Sequence, residues 1–244
     1  MATVVRGERR PFGPIANDIS GPATTHRQVG GEGMCRWKML MNGMHLEGEW
    51  NCVEYVVIAP GAGVGEHVHL RTEEIYYIVS GRAVVTMDGV EIEALPGDLI
   101  TTPIGSAHSI ENRGDEDMHF FVTEVFPGEG EAAMPAHLHV PVLLEQRSGH
   151  RTAEVDLTTH FTGDWQRFRL IEVPPGGVVE ETVRKDRSVV LHVIEGAAVI
   201  TTEGVAYDGG PGLSVAVPPA FAHSVCNTAG DRPLRLIGVE VGVA

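Results

Sequence analysis

At 244 residues the chain is long enough for one large or two compact domains, and 43% hydrophobic residues support buried cores over disorder. A net charge of −15 repels phosphate backbones and anionic headgroups, so nucleic acid and membrane surfaces are not expected partners and a small molecule is. No apolar run approaches a membrane span, and the opening residues carry Arg6, Arg9 and Arg10 without the apolar stretch of a secretion signal, so the expected location is cytoplasmic.

Cys35, Cys52 and Cys226 are odd in number and lack paired spacing, which fits a reduced compartment and buried small hydrophobes. Residues 1–45 form an extension rich in Pro, Gly and Asn. Within it Arg36–Met41 reads as one added strand that packs on the rest, and Trp37–Met41 suits an edge for homodimer formation. Gly31-Glu32-Gly33 opens no strand–turn–helix unit and is not a phosphate loop.

From residue 46 to 129 short β-rich runs alternate with turn chemistry. Glu74–Val79 ends at Ser80-Gly81, Ala83–Thr86 at Met87-Asp88-Gly89, and Pro96-Gly97 precedes Leu99–Thr102. Residues 130–160 read as a connector, and residues 161–244 repeat the first unit at a constant offset of 115. Gly61 answers to Gly176, Gly81 to Gly196, Gly97 to Gly212, Pro103 to Pro218, His108 to His223 and Asn112 to Asn227, while Gly48-Glu49-Trp50 answers to Gly163-Asp164-Trp165. A period this long indicates a duplicated domain, and many short, evenly spaced strands without an amphipathic helix indicate an all-β chain of two antiparallel barrels.

Residues with metal-ligand chemistry concentrate in the first unit. His67 and His69 alternate on a strand and share a face; Glu74 follows across a turn, and His108 comes from a later strand. Three nitrogen donors and one carboxylate suit a divalent transition metal and disfavour calcium or magnesium, which prefer oxygen. About two positions stay open on a six-coordinate ion. Strand parity favours Glu74 over its neighbour Glu73, which is expected at the rim or in solvent. The same parity turns Tyr76 and Ile78 inward, so Tyr76 is a candidate to donate a hydrogen bond or a proton, with Ile110 as an apolar wall.

The second unit carries Thr182, Arg184 and Val189 where the first has His67, His69 and Glu74, and only His223 remains. This barrel is not expected to hold a catalytic metal; Arg184 and His223 could bind a small anion inside it. His137 and His139 alternate within the connector without a nearby acid or the glycine frame, so solvent or packing is expected for them, and His192 falls on the strand face opposite Val189 and Leu191 and is expected to face away from its barrel.

Both motifs, Gly61-x5-His67-x-His69-x4-Glu74-x6-Gly81 and Gly97-x5-Pro103-x-Gly105-x2-His108-x3-Asn112, resemble those of the cupin family. The resemblance implies two tandem double-stranded β-helix (jelly-roll) barrels, a bicupin, with His67, His69, Glu74 and His108 as ligands of one divalent metal, iron or manganese first and nickel, cobalt or zinc after. It further implies a metalloenzyme acting on a small oxygen-bearing metabolite. An oxygen-dependent oxidation of the dioxygenase type is the leading expectation. The alternatives are a non-redox isomerase, lyase or hydrolase in which Tyr76 or Glu73 moves a proton, and a non-catalytic small-molecule-binding barrel.

Overall fold

The computed structural model describes residues 13–181 and 183–243, so Thr182 lies outside the described residues. The chain begins with strands β1 (Ile15–Asn17), β2 (Ala23–His26) and β3 (Met34–Asn42). The first barrel follows as β4 (Trp50–Ile58), β5 (Gly63–Val68), β6 (Glu73–Ser80), β7 (Ala83–Met87), β8 (Val90–Ala94), β9 (Asp98–Thr102), β10 (Ala107–Asn112) and β11 (Met118–Val125). Next come β12 (Ala136–His139), β13 (Glu145–Arg147) and β14 (His150–Asp156). The second barrel is β15 (Trp165–Val173), β16 (Val178–Glu181), β17 (Arg187–Glu195), β18 (Ala198–Thr202), β19 (Val205–Gly209), β20 (Ser214–Val217), β21 (His223–Asn227) and β22 (Leu234–Gly242).

Each barrel pairs a large antiparallel sheet with a small one. In the first, β12-β9-β6-β11-β4-β3-β2 faces β5-β10-β7-β8; in the second, β1-β20-β17-β22-β15-β14-β13 faces β16-β21-β18-β19. The outer strands are exchanged: β1, from the N-terminal segment, lies along β20 of the second barrel, and β12, from the segment between the barrels, lies along β9 of the first. Residues 130–160 thus hold three strands in addition to their connecting role. Trp37 pairs with Ala23 of β2, and Asn17 donates a side-chain hydrogen bond to the Leu40 carbonyl. Of the stretch expected to offer a dimer edge, Arg36 and Trp37 are paired with β2, while Lys38–Met41 lie beyond the end of that ladder.

The central strands of the large sheets, such as β6 and β11, are buried on both faces, which explains why they read as nearly continuous apolar runs. On β4, Val56 and Ile58 fill the first barrel's interior while Val53, Tyr55 and Val57 point the other way; on β6, Tyr76 and Ile78 oppose Ile75 and Tyr77. The outward residues of both large sheets meet in one shared core containing Trp50, Phe121, Trp165 and Phe168. The second barrel has its own interior around Ile171, Leu191, Ile200 and Leu236.

The duplication is visible in its polar joints. Asn112 donates to the Ile58 and Glu116 carbonyls, and Asn227 donates to those of Val173 and Arg232. The Trp50 indole donates to the Ser188 hydroxyl (2.7 Å) and the Trp165 indole to the Glu73 carboxylate (3.2 Å); Ser188 and Glu73 are equivalent positions in the repeat. Ala220 replaces Gly105 but keeps its left-handed backbone (φ 68 against 87). Among the described residues no helix is long and apolar enough to cross a membrane.

Candidate metal centre

The ladder between β5 and β10 sets His67 directly opposite His108. His69 stands just past the end of β5, clamped by its N–H to the Ser106 carbonyl (3.0 Å) and by its carbonyl to the Gly105 N–H (2.7 Å). Glu74 comes from β6 in the facing sheet, on the same side as Tyr76. Two sheets therefore deliver four side chains to one point inside the barrel.

The His108 Nε2 lies 3.0 Å from the His69 Nε2 and 3.1 Å from the His67 Nε2. The Glu74 Oε2 lies 3.1 Å from the His108 Nε2 and 3.3 Å from the His69 Nε2. Each ring is fixed through its other nitrogen: His67 Nδ1 on the Gly65 carbonyl, His69 Nδ1 on the Thr72 carbonyl and His108 Nδ1 on the Thr102 hydroxyl. Such outer contacts orient the inner nitrogens as ligands. Glu74 is 3% exposed, and its Oε2 has no hydrogen-bond partner of good geometry among the described residues. Desolvated lone pairs aimed at a common point repel one another unless a cation lies between them. Adjacent donors around an octahedral ion with bonds of roughly 2.1 Å sit roughly 3 Å apart, so the spacing and the donor types fit a divalent transition metal.

Without a cation the same crowding displaces the ionisation of all four groups. Burial pushes the Glu74 carboxyl up to about 7. Burial also holds His108 well below the usual imidazole range, assisted by the neighbouring His69 and His67, and lowers His67. At His69 burial acts downward, but the adjoining Glu74 carboxylate carries it above the ordinary value. Tyr76 packs its ring on His108 at 4.9 Å with its hydroxyl 3.4 Å from the His108 Nε2. Its phenol is raised well above the usual range, first by burial and then by Glu74, so it is a neutral donor at the site.

A cavity of about 190 Å³ opens onto His67, Glu74 and Tyr76. Its far wall carries Glu54 of β4 and Glu124 of β11, which share strand parity with the interior residues Val56 and Val122. Asn51 donates to Glu124 at 2.7 Å. Burial, reinforced by Glu124 and Glu74, raises Glu54 to about 7. Val29, from the N-terminal segment, lines the mouth in a left-handed conformation (φ 50) rare for a β-branched residue. Its loop is seated on β5 by close contact of two glycines: a Cβ on Gly65 would lie 2.2 Å from the Val29 carbonyl oxygen, and one on Gly31 2.2 Å from that of Gly63.

Glu73, expected at the rim or in solvent, is instead fully buried and points into the shared core between the barrels. Its carboxylate accepts from the Thr162 N–H and hydroxyl, the Gly163 N–H and the Trp165 indole, so it cannot act as a proton carrier at the cavity. Arg184, expected inside the second barrel with His223, is exposed, while His223 is buried on β21. A buried ion triad extends into that interior: Glu240 takes the Arg169 Nε at 3.1 Å and Arg187 at 2.8 Å. His137 and His139 do have an acid in space, each bonding one oxygen of Asp98 (2.8 and 2.6 Å) across the β9–β12 pair. His192 faces away from its own barrel interior, as its parity suggests. It lies in the shared core against Tyr55 and Phe121 with its Nδ1 on the Ser214 hydroxyl. Glu54 and Glu124 escaped the sequence reading because no motif marks them; the available signal was their parity with apolar interior positions.

Residues 54–124 match the cupin domain. The oxalate-binding protein of Thermotoga maritima is 33% identical over 99 residues, 41% of this chain and 82% of that protein. Two solved structures share the fold over nearly the whole chain. Protein Ylba from E. coli has a TM-score of 0.73 at 15% identity, covering 97% of this chain and 94% of that one. Bacillus subtilis oxalate decarboxylase, studied for its Mn(II) centres, has a TM-score of 0.70 at 19% identity, covering 98% and 78%. With both barrels in place and His67, His69 and His108 able to hold a metal in the first, the chain belongs to the cupin family and is a bicupin.

Proposed function

We propose that the first barrel is a mononuclear metalloenzyme centre, with His67, His69, His108 and Glu74 holding one divalent ion, manganese or iron, and acting on a small oxygen-bearing molecule in the adjoining cavity. The observation that carries this reading is the convergence of three anchored imidazoles and an unpartnered buried carboxylate oxygen. A bound ion would polarise a substrate oxygen, and if redox-active it would exchange electrons with dioxygen. The protein's own contributions are positional. Three histidines and one acid keep the ion's net charge low, apolar walls at Val64, Phe120 and Val122 limit water, and the neutral Tyr76 hydroxyl can donate a hydrogen bond to a developing oxyanion.

The reaction class we favour is an oxygen-dependent oxidation, since a nitrogen-rich donor set supports a redox-active ion. A non-redox lyase is the second reading, favoured by Tyr76 as a built-in donor and by the fold shared with a decarboxylase. Metal-reconstituted protein is to be screened against small hydroxyketones, diketones and catechols with an oxygen electrode and product analysis. Substrate loss matched by oxygen uptake supports oxidation. Turnover that persists under argon replaces it with the lyase reading, and turnover by metal-free protein overturns both.

A further inference from the structure

The cavity beside the metal centre has an unusual charge balance. Among its lining residues are three carboxylates, Glu54, Glu74 and Glu124, and no lysine or arginine. Glu74 is accounted for by the metal. Glu54 and Glu124 stand on the opposite wall, half-buried, and neither makes an ion pair with a lysine or arginine among the described residues. Asn51 donates to Glu124 at 2.7 Å and orients its carboxylate at the cavity wall. The second barrel solves the same problem internally: the position equivalent to Glu54 is Arg169, and its buried acid Glu240 is matched by two guanidinium groups. The first barrel keeps the acids and omits the cations. The cavity also opens onto His67 and Glu74, so a ligand lying in it would reach the metal centre and the two acids at once.

Half-buried carboxylates without a cationic partner are costly as anions, and a ligand that supplies positive charge or donors lowers that cost. A divalent ion offset by Glu74 retains one positive charge, and two further carboxylates leave the lined space with no electrostatic preference for a dianion. We propose that the cavity selects a small molecule bearing a protonated nitrogen on the side away from its metal-facing oxygens, with Glu54 and Glu124 as the specificity-determining residues that receive it. The inference rests on the metal-centre reading, because the metal fixes which end of the ligand faces His67 and Glu74. It also sets this cavity apart from a dicarboxylate site, even though the T. maritima relative is an oxalate-binding protein.

Three probes share one metal-chelating head and differ only in the charge of the arm: 3,4-dihydroxyphenylacetate, 4-methylcatechol and dopamine. Binding is measured by calorimetry on Mn(II)-loaded protein under argon. Dopamine is expected to bind at least about tenfold more tightly than 4-methylcatechol, and 3,4-dihydroxyphenylacetate more weakly than either, as a charge-assisted hydrogen bond requires. In the Glu54→Gln, Glu124→Gln double variant, checked for folding by circular dichroism and for metal content, the dopamine preference should fall to within about threefold. Equal binding of the three probes, tighter binding of the anionic one, or an unchanged preference in the double variant overturns the inference while leaving the metal centre standing. Failure of 4-methylcatechol to bind in a metal-dependent way overturns the metal-centre reading and this inference together.

Discussion

Glu73 and Glu74 are adjacent acids with opposite surroundings, because successive side chains on a strand face opposite sides of the sheet. Glu74 turns into the barrel beside three imidazoles; Glu73 turns into the shared core, where four donors from residues 162–165 receive it. The inward direction of Glu74 is legible in the sequence from its offset to Gly81. The role of Glu73 is not, since its partners lie about ninety residues away on the other barrel and no local pattern announces them. Glu73→Ala strands those donors and should cost about 3 kcal/mol of stability in denaturant titration while leaving metal content unchanged. Loss of metal with stability retained would return Glu73 to the site. Glu74→Gln should do the reverse, preserving the fold and weakening metal affinity by more than the roughly 10–100-fold typical of an outer-shell change.

Element by element, long buried strands are legible and short edge strands are not. β4, β6 and β11 are marked by apolar runs between Gly and Pro turns, and the repeat confirms each one against β15, β17 and β22. β1 and β12 are three- and four-residue strands that exist because a large sheet offers an open edge, and nothing in Ile15–Asn17 or Ala136–His139 specifies which barrel they join. The loop carrying Val29 is likewise set by contact, through the approach of its backbone to Gly65. Gly65→Ala places a Cβ against backbone atoms that cannot rotate away. It should lift this loop at a cost of about 1–3 kcal/mol and raise hydrogen exchange in residues 27–33, with β6 and β11 still protected. Unchanged exchange in the loop would show that the crossing is not what seats it.

At the scale of the whole molecule, the two barrels are one folding unit because their large sheets share a core. His192 lies within it, held neutral by burial that lowers its ionisation to about 3. The unfolded chain therefore binds a proton below about pH 6.5 that the folded chain refuses, so stability contributed above that pH is lost as pH falls toward 3. His192→Leu should flatten the fall in melting temperature between pH 6.5 and 4 relative to the parent; parallel curves would place the acid sensitivity elsewhere. The repeat made the two-barrel plan legible, and the missing ligands at Arg184 and Val189 made the asymmetry legible. The ion triad inside the second barrel was not, because Arg169, Arg187 and Glu240 are scattered in sequence and meet only across β15, β17 and β22.

The most direct test of the central claim is metal stoichiometry by elemental analysis on protein reconstituted with Mn(II) or Fe(II) and desalted. The parent chain and His223→Ala should each retain one ion per chain, whereas His67→Ala and His108→Ala, folded by circular dichroism, should retain essentially none. Retention of the ion by either of these first-barrel variants, or its loss in His223→Ala, would contradict a single metal centre built from His67, His69, Glu74 and His108.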